Sequence, residues 1–136
     1  MNRTLVICKP DAVERGLVGE IVGRLERKGL TLVAGELRVI DEAVAARHYE
    51  EHRGKPFYGE LLAFITRSPS LVLVVEGPED TWRIVRTLMG PTDPAQAPPG
   101  TIRGDLGTVL TENLVHGSDS ADSARREIGI FFPDLG

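Results

Sequence analysis

Thr4-Leu5-Val6-Ile7-Cys8-Lys9-Pro10-Asp11 opens the chain's architecture. Thr4 to Cys8 is a short apolar run rich in β-favouring residues, and it reads as a buried strand. Lys9-Pro10-Asp11 ends it. Beyond this strand, Val18, Ile21, Val22 and Leu25 fall at helical spacing across Val18 to Lys28. Gly29 stands where such a helix stops. Leu30 to Ile40 alternates loosely and predicts a second strand. Asp41 is placed to cap a short helix over residues 42–51. Leu61, Leu62, Phe64 and Ile65 predict another helix from Tyr58 to Thr66. Leu71 to Val75 predicts a third, buried strand. Pro78 to Leu88 reads as a helix with Trp82, Val85 and Leu88 towards its apolar side. Asp119 to Glu127 reads as a helix and Ile128 to Phe132 as a last strand. Strands mixed with helices, without strict alternation, predict an α+β class: helices layered on a mostly antiparallel sheet.

Between these elements, Met89 to Gly107 carries Pro91, Pro94, Pro98 and Pro99 among glycines and polar residues. It reads as a long stiffened loop, and such loops inside a compact domain are uncommon unless functional. At 136 residues the chain fits a single domain with a real core. No repeat, low-complexity segment or linker divides it. A net charge of -4 leaves no overall basic footprint, which argues against nucleic acid as the main partner. The lone cysteine, Cys8, excludes an intramolecular disulfide and points to a reducing compartment. Its place at the end of an apolar run reads as core. The N-terminal residues lack a signal-peptide apolar region. The longest strongly apolar run, Leu71 to Val75, is too short to span a bilayer. These features predict a soluble, cytoplasmic protein.

The chemistry centres on Asn113-Leu114-Val115-His116-Gly117-Ser118-Asp119. Imidazole is the side chain best suited to accept and return a group near neutral pH. Gly117 removes bulk beside it, leaving room for a large anion, and Ser118 and Asp119 are types that cap a helix. Glu127, at the end of the following helix, is positioned to fold back and orient the imidazole. His48 and His52 lie four apart on a predicted helix. No third ligand accompanies them, and a solvated face accounts for both.

There is no Gly-x-x-x-x-Gly-Lys-Ser/Thr loop, so phosphates must meet separate cationic side chains. Lys9 lies just past a strand end. Arg103 sits in the long loop, with a salt bridge to Asp105 as its simplest alternative. Arg86 is near a helix end, where the dipole alone favours a cation. Thr92 is a turn residue whose hydroxyl can bind a phosphate oxygen. Tyr49 and Phe57 flank residues 50–56, and Phe57, beside polar neighbours, is a candidate platform for stacking any base.

Taken together, Lys9-Pro10-Asp11, Arg15 to Ile21, Lys28-Gly29, His48-Tyr49, Lys55-Pro56-Phe57, Met89-Gly90, Thr92-Asp93-Pro94, Pro99 to Asp105 and Asn113 to Ser120 resemble nucleoside diphosphate kinases, from Thr4 to Pro133. The resemblance implies a ferredoxin-like βαββαβ core with added helices. It implies a ping-pong reaction in which a nucleoside triphosphate phosphorylates His116, through Nδ1, and a diphosphate takes the group. Glu127 and Ser118 match the residues that position the histidine. Lys9, Tyr49, Arg86, Thr92 and Arg103 match the phosphate-side binders, Lys9 and Asn113 the ribose contacts, and Phe57 the base stack. Mg²⁺ is implied as a companion of the nucleotide, with Asp119 at most an outer partner. A homo-oligomer, hexamer or tetramer, is implied too. The chain departs from the family pattern at Arg67-Ser68-Pro69, at Lys55, and by one extra residue between Gly77 and Arg86. A module of the same fold that binds nucleotide without turnover is the alternative. Its mark would be loss of His116, Lys9 or Arg103, and all three are present.

Overall fold

In the computed structural model, which describes residues 1–135, four strands form one sheet in the order β2-β3-β1-β4. They are β1 (Arg3–Cys8), β2 (Thr31–Arg38), β3 (Ser70–Glu76) and β4 (Val115–Gly117). Every neighbouring pair is antiparallel. The helices are α1 (Pro10–Glu14), α2 (Val18–Arg27), α3 (Glu42–His48), α4 (Tyr58–Thr66), α5 (Thr81–Met89), α6 (Ile102–Leu106) and α7 (Ala121–Phe131). This is the α+β class, and the strand order is that of the split βαβ units implied by the resemblance.

Helices cover both faces of the sheet. Val6, Cys8, Leu73 and Val75 pack with Ile21 and Leu25 of α2 and with Val85 and Met89 of α5. Leu5, Ile7, Val72 and Val74 pack with Ala45 of α3, Ile65 of α4, and Ile128 and Phe131 of α7. Central strands are covered on both faces, which is why β1 and β3 contain the continuous apolar runs Leu5 to Cys8 and Leu71 to Val75. Helix α2 ends as its sequence predicts, with Gly29 at φ 92°.

Five readings change. Ile128 to Phe132 is not a strand, because α7 continues to Phe131. Its buried residues Ala124, Glu127, Ile128 and Phe131 follow helical spacing, so the apolar cluster is one face of a helix rather than a strand. The last strand is instead β4, three residues long and holding His116. Lys9-Pro10-Asp11 does more than stop β1: Pro10 begins α1, a favoured place for a residue without N–H. Within the proline-rich segment, a 3₁₀ turn (Pro94–Gln96) and α6 appear, the latter capped by Thr101 accepting from Gly104 N. On α5 the buried stripe is Thr81, Val85 and Met89, and Trp82 lies outside it. The cap of α7 is Ser120, accepting from Ser123 N, rather than Ser118 or Asp119. Among the described residues no helix is long and apolar enough to cross a membrane.

Candidate active site

Register aims the central histidine. His116 stands opposite Ile7 in the β1–β4 ladder, and directly opposed residues point to the same face. Ile7 belongs to the face packed by α3, α4 and α7, so His116 meets those helices. Its Nε2 lies 2.8 Å from Glu127 Oε1, and Ser118 Oγ donates to the same oxygen at 2.8 Å. Burial pushes the Glu127 carboxyl up. The hydrogen bond and charge of His116, with Ser118, outweigh this and hold it below its ordinary value. An ionised carboxylate only accepts, so Nε2 carries a proton, and in the neutral ring the lone pair is on Nδ1.

That ring lies on the wall of a cavity of about 600 Å³, which also takes in Lys9, Tyr49, Phe57, Thr92 and Asn113. Lys9 Nζ donates to Asn113 Oδ1 at 2.9 Å, and Asn113 Nδ2 donates to Thr92 O at 3.0 Å. Burial, then Arg103, pushes the Lys9 ammonium down to about 8, against the pull of Asp11. Phe57, at the start of α4, is 44% exposed, so a flat face is open to stack on. Buried Tyr49 has its phenol pushed up to about 12 by burial and Glu127, which keeps it neutral.

Arg86 and Arg103 stand one step behind the cavity wall. Arg86 Nη1 donates to Gly117 O at 2.9 Å, at the end of the strand that carries His116. Arg103 is buried and donates to Asn113 O, Gly90 O and Val115 O at 3.1, 3.0 and 2.6 Å. A guanidinium has five N–H groups, so these three carbonyls leave two of them unengaged by the contacts above. Burial, then Arg86, pushes Arg103 down to about 10, opposed by Asp11. It is not paired with Asp105, which binds Arg24 at 2.8 Å. The residues singled out in the sequence therefore form two shells: six on the cavity wall, and Arg86, Arg103, Ser118 and Glu127 around the strand that carries His116.

Several residues act differently from their sequence reading. His48 is not on a solvated face. It is buried at the end of α3 with its ring centroid 4.6 Å from that of His116, at 86°. His52 falls on a separate 3₁₀ turn, lines the cavity and packs 5.5 Å from Phe57. Their shared spacing hid this, because α3 ends at His48 and the chain turns before His52. Gly117 does not leave room for an anion: a Cβ there would lie 2.6 Å from Met89 Sδ and 3.2 Å from Val85 Cγ1. It is the close approach of α5 that needs glycine. Asp11, quoted only as part of a block, holds the backbone of the site. Its Oδ2 accepts from Leu114 N at 3.1 Å, and Leu114 sits at φ 74°, costly for a branched side chain.

His48, His116 and Glu127 offer ligand atoms within 4.8 Å of one another. Tetrahedral zinc bonds of about 2.0–2.1 Å require ligand spacings near 3.3 Å, so the trio is loose for a closed site.

Comparison with known proteins fits this arrangement. The family model of nucleoside diphosphate kinase matches residues 2–135. A nucleoside diphosphate kinase of Frankia casuarinae is 58% identical over 135 residues, covering 99% of this chain and 98% of the relative. That of Thermomicrobium roseum is 61% identical over 132 residues, 97% and 88% of the two chains. Among solved structures, a halophilic nucleoside diphosphate kinase from Halobacterium salinarum in complex with CDP superposes with a TM-score of 0.94 at 52% identity. The match covers 99% of this chain and 90% of that one.

Proposed function

This chain belongs to the nucleoside diphosphate kinase family and is a nucleotide-binding phosphotransferase, and we propose that His116 carries the phosphoryl group between two half-reactions. The observation that supports this is the state of the His116 ring. Nε2 is engaged by Glu127, and the ring lines the cavity with Nδ1 left as nucleophile. In the first half-reaction the Nδ1 lone pair attacks the γ-phosphorus of a triphosphate. An N–P bond forms, the bond to the β-phosphate oxygen breaks, and the diphosphate leaves. In the second, the terminal oxygen of another diphosphate attacks the same phosphorus and the N–P bond breaks. Throughout, the Nε2 proton stays on the ring, directed at Glu127, which balances the charge of the phosphorylated imidazole.

Lys9, Arg86, Arg103, Tyr49 and Thr92 are the phosphate-side groups in this reading. Fixed cations and donors suit a loose, highly charged transition state. Asn113 and Lys9 take the ribose, and Phe57 stacks on the base. Stacking reads no base edge, so breadth among bases is expected. Mg²⁺ supplies charge neutralisation when it enters with the nucleotide, held mainly by phosphates and water. The residues fit that: the carboxylates on the cavity wall are Glu60 and Glu112, the latter paired with Arg67 at 3.1 Å, and Asp119 is exposed.

A homo-oligomer belongs to the same proposal. Strand β2 lies at the sheet edge, and Leu37 and Val39 nearby are 63% and 58% exposed, a surface suited to a second copy. A cytoplasmic setting is proposed with it, in keeping with the free, buried thiol of Cys8.

The test is a two-step transfer. The protein is incubated with Mg²⁺ and γ-labelled ATP without acceptor, separated, and then given GDP. Acid-labile, base-stable label that is absent from His116→Ala and passes to GTP is the expected result. Folded His116→Ala with near-normal turnover would overturn the assignment.

A further inference from the structure

His48 meets the His116 ring and has no part in the transfer described above. It is 4% exposed, and its ring meets the His116 ring near the perpendicular, centroids 4.6 Å apart. Phe131 closes on it from α7 at 5.6 Å and Tyr49, the next residue, at 4.6 Å. Its Nδ1 is buried with no hydrogen-bond partner among the described residues. A buried orphan of this kind costs about 1–3 kcal/mol, so it calls for an explanation. The ring bears on His116 through shape, not through a hydrogen bond from that nitrogen.

The wall is anchored to the helix that orients the histidine. Arg126, the neighbour of Glu127 on α7, donates from Nη1 to Arg47 O at 3.1 Å and from Nη2 to His48 O at 3.4 Å. Both contacts that fix the His116 ring, the Glu127 carboxylate and the His48 edge, are thus tied to α7. Burial, then the charge of His116, pushes His48 down to about 3, with Glu127 opposing and Arg126 and Lys9 reinforcing. His48 is therefore a neutral ring that adds no competing cation beside the nucleophile.

We propose that His48 is a positioning residue: its buried ring blocks rotation of the His116 imidazole about Cβ–Cγ, so that Nδ1 alone is presented to the phosphoryl group. The proposal rests on His116 being the phosphorylated residue. Small angular errors at a reacting atom are expensive, on the order of a hundredfold for a displacement of about 1 Å.

The experiment compares the parent with His48→Ala, His48→Leu and His48→Asn. It measures single-turnover self-phosphorylation from Mg·ATP, the Kd for ADP, and the ³¹P spectrum of the isolated phosphoprotein, which separates the two phosphohistidine isomers. His48→Ala is expected to phosphorylate at least about tenfold more slowly, with Kd for ADP unchanged and phosphate on both ring nitrogens. His48→Leu keeps the wall without the nitrogens and is expected near the parent rate with Nδ1 phosphate alone. His48→Asn keeps a polar group but loses the width, and is expected to behave as His48→Ala does. Where His48→Ala does not fold, the Leu and Asn pair carries the comparison. A folded His48→Ala with parental rate and a single isomer overturns the proposal. So does a fast His48→Asn beside a slow His48→Leu, which would assign the role to the nitrogen. A parent protein that never acquires phosphohistidine overturns the His116 reading itself, and this outcome is distinct from the others.

Discussion

Glu127 Oε1 stands 2.8 Å from His116 Nε2, and Glu127 lies outside the cavity that His116 lines. The carboxylate fixes the tautomer of the ring and supports it without touching what enters the cavity. Glu127→Gln removes the negative charge while keeping the volume. Self-phosphorylation is expected to fall about 10–100-fold, the usual cost of losing a buried partner of a working imidazole. Affinity for nucleoside diphosphate is expected to stay within about twofold, since no wall residue changes. Rapid-mixing kinetics beside equilibrium binding read both. An unchanged rate would detach Glu127 from the transfer.

Lys9 gives the site an alkaline limit. Its ammonium is pushed down to about 8, so the charge is present below that pH and lost as pH rises through it. In the free enzyme kcat/KM is therefore expected to decline above about pH 8. The decline in kcat should lie higher, because bound phosphate stabilises the ammonium. The sign for stability is the reverse. Between about 8 and the unfolded value of 10.5, the unfolded chain binds the proton more fully, so this group makes stability rise with pH. A kcat/KM that stays flat to about pH 9.5 would contradict the burial of Lys9.

Arg103 holds three backbone carbonyls, those of Gly90, Asn113 and Val115. Arg103→Met fills much of the space but leaves all three without that donor. A stability loss of about 3 kcal/mol is expected in urea unfolding, together with a large loss of rate. A stable variant that is merely slow would confine Arg103 to the phosphates. A loss of stability with full activity would confine it to the backbone.

Phe57 is exposed at the start of α4, with the His52 ring 5.5 Å away. Phe57→Ala is expected to weaken binding of ADP, GDP, CDP and UDP alike, by about 1–3 kcal/mol. A loss confined to purines or to one base would contradict simple stacking. Titration calorimetry with the four diphosphates distinguishes these results.

The sheet was legible where local chemistry and tertiary packing agree. β1 and β3 are apolar because both faces are covered, and α2 shows its face through Ile21 and Leu25 and its end through Gly29. Residues 128–132 misled because Ile128, Ile130, Phe131 and Phe132 suit a strand and a helix equally, and only packing on Ile7 and His48 favours the helix. Short α6 is held by Thr101 and the proline-rich turns rather than by propensity. At the site, Lys9, Phe57, Thr92, Asn113 and His116, each part of a different motif block, line one cavity. His48 and Asp11 escaped because their roles depend on contacts across the sheet: one on the β1–β4 register, the other on the left-handed backbone at Leu114. Nothing local in the sequence announces the approach of Met89 that requires glycine at position 117.

The passage of the phosphoryl group through His116 is tested most directly by the stereochemistry of transfer. ATP made chiral at the γ-phosphorus with three oxygen isotopes is used to phosphorylate GDP, and the configuration of the product is determined. Two in-line displacements, one onto His116 and one off it, predict net retention. Inversion would mean a single direct displacement between nucleotides and would contradict a phosphohistidine intermediate.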